Sequence, residues 1–365
     1  MGFFGKLFGG QKEVGEQKRK SGFELLKIAS IDRLTQDSVK VTFDVPEELE
    51  SAYSFIPGQY INLIIELNGN EYRRSYSICS GVDEKLAIGV KTVEGGKVST
   101  WLNTEAKSGD EIRVGYPEGN FTLSKLEGNY VAFAAGSGIT PLLSIAKLIH
   151  KSQNSKLILF YSNKNEESIM FKNELDNLDS GRVEVRYLLS RQEKEGYIQG
   201  RLDAENIIDT IKSELELLKS KGFYLCGPEE MILNASEGLK SFGVPEEKIH
   251  YELFTTPTLL KSKKKETVAA FNGVAKITLI LDDEEENFEL EADGPTILDE
   301  AESYGIDAPF SCRGGVCCTC RAKVLKGAAS MDKNYSLTDK EIEEGYILTC
   351  QAHPNSKELT ITYDE

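Results

Sequence analysis

The stretch SCRGGVCCTCRAKV, residues 311–324, places four of the chain's seven cysteines, Cys312, Cys317, Cys318 and Cys320, within nine consecutive positions. Thiols at this density hold a metal, form disulfides or fill a small core. The N-terminal MGFFGKLFGG is short and broken by glycine, unlike a secretory signal with its continuous apolar stretch. The expected compartment is therefore the reducing cytoplasm, where clustered thiols serve metal or redox chemistry rather than disulfides.

Spacing narrows the choice. Four residues separate Cys312 from Cys317, two separate Cys317 from Cys320, and 29 separate Cys320 from Cys350. C-x4-C-x2-C followed by a distant cysteine is the ligand spacing of a plant-type [2Fe–2S] centre. Such a centre needs four thiolates around a negatively charged core. Gly314 and Gly315 let the backbone wrap closely and turn N–H groups toward the sulfurs, where they tune the potential. A structural zinc site is the competing reading, because four cysteines also suit zinc. Zinc sites, however, usually join one C-x2–4-C pair to a second, whereas Cys350 stands alone in ILTCQAHP. The expected ligands are Cys312, Cys317, Cys320 and Cys350. Cys318 reads as a packed or partly exposed bystander, with a substitute-ligand role left open. Cys79, in a β-like run, reads as a small buried hydrophobe.

Around this loop the composition is that of a globular chain, 40% hydrophobic and 28% charged. No run approaches the ~18 apolar residues of a membrane span. From Phe271 onward, twenty Asp and Glu face eight Lys and Arg, a balance of −12 out of −16. That surface disfavours nucleic acid. It suits a module that meets a basic partner in complementary fields, with a merely solvated acidic face as the plain alternative.

The chain divides into segments. Residues 1–20 are expected to be an N-terminal tail. In 21–126, FELLKIASI, SVKVTFDV, QYINLIIEL and KLAIGVKTV alternate as strands of a small barrel or sandwich. In 127–254 strands such as NYVAFAAG and KLILFYSN alternate with helices, among them PLLSIAKLIHK and expected helices over Ser168–Leu178, Asp203–Lys219 and Glu229–Phe242. That order predicts a doubly wound parallel sheet with ligands at the carboxyl ends of its strands. Residues 255–270, with Pro257 and four lysines between Lys261 and Lys265, read as a linker, or alternatively as a basic patch for a partner. Residues 271–365 follow as strands around a helix over Thr296–Tyr304.

Several short motifs carry chemistry. Arg74-Ser75-Tyr76-Ser77 and Gly95-Gly96-Lys97-Val98-Ser99-Thr100 resemble the R-x-Y-S and G-G-x-x-[ST] pair of the ferredoxin–NADP reductase superfamily. An arginine can pair with a flavin phosphate, a tyrosine ring can stack on the isoalloxazine, and a hydroxyl can reach a flavin nitrogen. Glycines before a short helix offer N–H groups to phosphate. Taken singly, each could be an ordinary strand or helix start. Gly136-Ser137-Gly138-Ile139-Thr140-Pro141, between a strand and a helix, resembles the superfamily's G-x-G-[IL]-T-P nucleotide loop. Cys226-Gly227-Pro228 matches its C-G-P, and Glu252 and Phe254 match its carboxylate and aromatic near the flavin. Tyr76, Cys226, Glu252 and Phe254 are thus the residues expected around the reacting centre.

Ser190-Arg191, with Lys194 and Tyr197, resembles the segment of plant-type reductases that grips the 2′-phosphate and stacks the adenine; Lys164 could add a cation. A 2′-phosphate needs such cations, whereas NADH favours an acidic residue on its free ribose hydroxyls, so NADPH is the expected nucleotide. Ordinary surface cations are the plain alternative.

The order of a flavin barrel, a nucleotide domain and a C-terminal [2Fe–2S] domain resembles the family of reductase components of the phenylacetyl-CoA ring-1,2-epoxidase system. CRGGVCCTCRAKVLKGAASMDKNYSLTDKEIEEGYILTCQAHPNS carries that likeness most strongly. The resemblance implies an antiparallel barrel, an α/β domain and an α+β (β-grasp) ferredoxin-type domain. It also implies FAD, NADPH, a [2Fe–2S] cluster and a di-iron oxygenase as electron acceptor. Another oxygenase or ring-hydroxylating system as acceptor remains open, as does, more remotely, a non-enzymatic redox or metal sensor.

Overall fold

The computed structural model describes residues 22–123, 125–259 and 271–365. The expected tail and residues 260–270 of the expected linker lie outside the described residues.

The first sheet is antiparallel. It contains β1 (Phe23–Thr35), β2 (Ser38–Asp44), β3 (Tyr60–Leu67), β4 (Asn70–Ser77), β5 (Ala87–Lys91) and β6 (Glu111–Gly115), in the order β4-β3-β6-β1-β2-β5. Its ends meet at an Ile78–Ile88 bridge, where the Cys79 N–H donates to the Ala87 carbonyl at 2.9 Å, closing a barrel. Alternation drives the closure: Val39, Val41, Phe43, Ile61, Leu63 and Ile88 all point inward and share one core. Asn68 and Gly69 both take left-handed φ, 53° and 74°, the signature of the type I′ turn that joins β3 to β4. Helix α1 (Lys97–Thr104) lies against this barrel through buried Val98 and Leu102.

The second sheet is parallel throughout. Its elements are β7 (Gly128–Ala135), α2 (Ile139–Lys151), β8 (Ser155–Asn163), α3 (Lys172–Leu178), β9 (Val183–Leu189), β10 (Ile198–Gln199), α4 (Ala204–Ser213), β11 (Gly222–Cys226), α5 (Glu229–Ser241) and β12 (Ile249–Glu252). The order β10-β9-β8-β7-β11-β12 reverses direction at β7, which makes the end of β7 the switch point where ligands bind.

Two expected helices are shorter than their periodicity implied. Instead of starting at Ser168, α3 starts at Lys172. Asn165 caps a 3-10 turn over Glu166–Ser168, and Phe171 then turns left-handed (φ 59°) to bury its ring. Helix α4 ends at Ser213, and Leu215–Lys219 continues as a separate 3-10 turn that buries Leu217.

The third module contains β13 (Val274–Leu281), β14 (Glu284–Glu291), α6 (Ile297–Ser303), β15 (Arg321–Lys326), β16 (Ala329–Met331), α7 (Asp339–Glu343), β17 (Tyr346–Leu348), β18 (Ala352–Pro354) and β19 (Glu358–Thr362). Its sheet runs β14-β13-β19-β15-β17, with β13 parallel to β19, and α6 buries Ile297, Leu298 and Ala301 in the same core as that sheet. This is the β-grasp arrangement. Among the described residues, no helix is long and apolar enough to cross a membrane.

Candidate functional site

The cysteine loop connects α6 to β15. The Cys312 and Cys317 sulfurs lie 3.1 Å apart, and the Gly314 N–H donates to the Cys312 sulfur at 3.3 Å. Cys320, at the head of β15, pairs with Cys350, whose neighbour Thr349 donates both its N–H and its hydroxyl to the Cys320 carbonyl. Hydrogen bonding from the Cys317 thiol, with backbone N–H groups of Gly314, Val316 and Cys317, pulls Cys312 down to about 6. The Cys320 thiol, with the Gly315 backbone, lowers Cys350.

In each pair the partner moves the other way: the hydrogen bond to Cys312 and burial push the Cys317 thiol up, and the hydrogen bond to Cys350 and burial push the Cys320 thiol up, so one thiol of each pair holds the proton for the other. The thiols stand as two pairs, Cys312 with Cys317 and Cys320 with Cys350. A donor set of two pairs fits a two-iron centre, with two thiolates per iron, better than one tetrahedral zinc. Cys318 is half-buried against the module's core, and Cys79 is fully buried in the core that α2 shares with the barrel.

A second constellation forms between the barrel and the nucleotide domain. Ser77, the last residue of β4, donates its hydroxyl to Glu252 at 3.0 Å. Glu252 ends β12, beside Cys226 at the end of the paired strand β11. Burial pushes Glu252 up to about 8, against the pull of the Ser77 hydroxyl. Burial also raises the Cys226 thiol, with the Glu252 charge adding to it. Here a carboxyl holding its proton at neutral pH meets a hydroxyl and a neutral thiol.

Elsewhere on β4, Tyr76 packs against the barrel core, and Arg74 is exposed with its guanidinium on the Arg73 carbonyl. Phe254, 46% exposed, follows Glu252 by two residues. In the glycine–serine turn Val98 joins the barrel core, while the Ser99 and Thr100 hydroxyls bond the Gly96 carbonyl. This leaves Lys97 and Thr100 at the surface.

The nucleotide loop lies at the end of β7. Gly136 takes a left-handed φ of 54°, its carbonyl accepting from the Tyr161 hydroxyl. Thr140 donates to the Ser137 carbonyl, and Pro141 is buried in the first turn of α2. At Gly138, a β-carbon would lie 2.0 Å from the Cys226 carbonyl oxygen, so the loop after β7 rests directly on the C-G-P loop. Gly227 and Pro228 continue that loop into α5.

At the far end, Ser190 bonds the Asn163 carbonyl and the Arg191 N–H bonds that of Lys164, which leaves the Arg191 side chain exposed. Lys194 and Tyr197 are engaged by a residue the motifs did not indicate. The Glu166 carboxylate pairs with Lys194 and accepts from the Tyr197 hydroxyl at 2.7 Å, and both contacts hold it below its usual range. Its place shortly after β8, the second strand of the nucleotide domain, was its one sequence signal.

The cysteine loop and the flavin-motif strand are in contact. Asn62 and Tyr60 on β3 reach Thr319, the Tyr60 hydroxyl accepts from the Cys318 N–H at 3.1 Å, and Ser75 meets Ser311 at 2.8 Å. Thr256 covers Gly314 so closely that a β-carbon there would lie 1.8 Å from its hydroxyl. The segment before residue 260 is held as well: Glu229 accepts from the Thr258 and Leu259 N–H groups.

Comparison with known proteins agrees with this layout. Three protein-family models match in sequence: oxidoreductase FAD-binding domain over residues 25–123, oxidoreductase NAD-binding domain over 133–237, and 2Fe-2S iron-sulfur cluster binding domain over 279–355. The chain is 35% identical to a subunit of the 1,2-phenylacetyl-CoA epoxidase of Escherichia coli K12, over 94% of this chain and 98% of that one. It is 30% identical to the ferredoxin reductase component of 3-ketosteroid-9-alpha-monooxygenase of Mycobacterium tuberculosis, over 93% and 96%.

Among solved structures, phthalate dioxygenase reductase shares the fold at a TM-score of 0.57 and 24% identity, covering 94% of this chain and 98% of that one. An intact type IV self-sufficient cytochrome P450 monooxygenase matches at 0.69 and 20%, covering 95% of this chain and 43% of that longer one. The cofactor set is accordingly FAD, a nicotinamide nucleotide and a [2Fe–2S] cluster. The chain belongs to the ferredoxin–NADP reductase superfamily, in the family of three-module oxygenase reductase components that includes the phenylacetyl-CoA epoxidase reductase.

Proposed function

We propose that this chain takes electrons from NADPH and delivers them singly to a di-iron oxygenase, phenylacetyl-CoA epoxidase, in the cytoplasm. The observation that carries the reading is the contact between the flavin-motif strand β4 and the cysteine loop, Ser75 on Ser311, on the same strand whose end meets Glu252. When bound, a flavin accepts two electrons together and releases them one at a time to a [2Fe–2S] centre, which holds one.

The chain's own residues supply the geometry. Arg74 is exposed and available for a flavin phosphate, and Tyr76, packed against the barrel core, keeps only part of its ring at the surface. Ser77 holds its hydroxyl on Glu252, whose carboxyl keeps its proton at pH 7. Glycines at 136 and 138 bring backbone N–H groups to a pyrophosphate at the N-terminus of α2, and Arg191 is the exposed cation for a 2′-phosphate. Cys312, Cys317, Cys320 and Cys350 hold the cluster, with Cys318 outside the set. The seven cysteines, all free, suit a reducing compartment.

Reconstitution tests the acceptor. Purified protein should couple NADPH consumption to epoxide formation with the phenylacetyl-CoA oxygenase. Uncoupled oxidation with that oxygenase, but coupling with a ring-hydroxylating one, would move the chain to the second reading.

A further inference from the structure

We infer that Arg73 is a positioning residue that clamps the cysteine-bearing module onto the flavin barrel, fixing where the [2Fe–2S] loop stands relative to the flavin-motif strand. The inference rests on the proposed flavin-to-cluster route and concerns Arg73, Asp307 and Phe310, which none of the motifs includes.

Strand β4 alternates. Cross-strand pairing puts Ile64 opposite Arg73, Asn62 opposite Ser75 and Tyr60 opposite Ser77, and these six share one face of the β3–β4 hairpin. The other face, with Ile61, Leu63, Tyr72 and Tyr76, packs into the barrel core. The face bearing Arg73 meets the third module.

Arg73 is 9% exposed, which for an arginine demands compensation. It finds two kinds. Its Nη2 lies 2.5 Å from the Asp307 carboxylate and its Nε 2.8 Å from Glu71 on its own strand. Its guanidinium also stands 4.4 Å from the centre of the Phe310 ring, whose other neighbour is the Arg313 guanidinium at 4.2 Å. Arg313 is itself held by Asp299 and Glu302 of α6.

Phe310 is thus gripped by one arginine from the barrel and one from the cysteine loop, two residues before Cys312. Arg73 thus carries a full charge from the barrel across this face on a buried stem. Ser75–Ser311 and Asn62–Thr319 are neutral hydrogen bonds and align rather than clamp.

The test uses the full-length holoprotein and exploits Asp307, which is 79% exposed and tolerates change without threatening the fold. Arg73→Glu, Asp307→Arg and the double swap are compared by amide hydrogen exchange. The reporter is the Cys318 N–H, which is bonded across the interface to Tyr60. Each single variant should speed exchange over residues 311–319 by about tenfold or more, the loss expected for a charge-assisted contact. The double swap should restore most of the protection.

In parallel, cytochrome c reduction should fall in the single variants and recover in the swap, while ferricyanide reduction stays at the wild-type rate. Unchanged exchange in both single variants, or no recovery in the swap, would overturn the clamp. An equal fall in ferricyanide reduction would overturn it too, because Arg73 would then be serving the barrel itself. Should even the wild type fail to reduce cytochrome c, the proposed electron route fails while the exchange data still decide the clamp.

Discussion

Gly138 joins the two halves of the nucleotide site, and Gly138→Ala separates them. The residue sits at the helical φ and ψ of −62° and −7°, which any amino acid tolerates, so the added methyl acts by its volume alone. That β-carbon would lie 2.0 Å from the Cys226 carbonyl oxygen, 2.4 Å from its carbon and 2.8 Å from the Gly227 nitrogen. All three are backbone atoms. Strands β7 and β11 are paired in register up to Ala134–Cys226, so neither loop can swing away freely. Reaching an ordinary contact of 3.4 Å requires about 1.4 Å of separation, which costs about 1–3 kcal/mol as overpacking. A displacement of that size at a reacting centre lowers the rate about a hundredfold.

The assay is anaerobic stopped-flow reduction of the flavin by NADPH, read beside the thermal midpoint. Gly136→Ala is the control. Its β-carbon meets nothing within 4 Å, and its left-handed φ of 54° gives a strain of about 1–2 kcal/mol without displacing Cys226. Both variants should lose stability, and Gly138→Ala should lose far more of its reduction rate. Flavin reduction by Gly138→Ala within twofold of wild type would refute the link between this loop and Cys226.

Other outcomes follow from the same geometry. Serine in place of Cys312, Cys317, Cys320 or Cys350 should abolish cluster absorption, and Cys318→Ser should retain it; a full cluster in Cys350→Ser would contradict the ligand set. Arg191→Ala should lower kcat/KM for NADPH about ten- to a hundredfold and leave NADH unchanged. Glu166→Gln, by freeing Lys194 and Tyr197, should move preference toward NADPH by several-fold, and steady-state kinetics with both nucleotides would show no such shift if Glu166 is only a surface partner. Folded Glu252 keeps its proton up to about 8 whereas an unfolded carboxyl releases it near 4.5, so its contribution to stability falls as pH rises across that window. Thermal melts of Glu252→Gln from pH 5 to 8 should lack this slope, and an unchanged slope would assign it elsewhere.

What the sequence disclosed was local. The cysteine spacing, the glycine turn before α2 and the C-G-P turn each lie within a few residues, and each falls beside a strand or helix terminus. The strand β4 was harder to read, because Glu71, Arg73 and Arg74 interrupt apolar alternation, although the Asn68-Gly69 turn signal marks the hairpin. The helix bounds at Lys172 and Ser213 were set by burial of Phe171 and Leu217, which no periodicity encodes. The contacts between modules lay furthest from view. Arg73 and Asp307 are 234 positions apart, and Asn62 and Thr319 are 257. The one hint was compositional: Tyr60 and Asn62 are polar positions on the same side of a strand whose other residues, apart from Glu66, are Ile and Leu.

That distribution of contacts bears on how charge is used in the third module. Its acidic surplus is not what seats it on the barrel, because few of its carboxylates lie at the contact. Asp307 meets Arg73, and Glu341 meets Asn120 while also pairing with Arg321 of its own module. Glu284, Glu285, Glu286, Glu289 and Glu291 are exposed along β14, the edge strand of the sheet. Intramolecular docking therefore runs through short, partly buried contacts that salt screens weakly, whereas the β14 carboxylates act at long range, where salt screens strongly. One module thus separates the forces: close contacts hold its cysteine loop against the flavin strand, and a distant field remains for whatever approaches from outside.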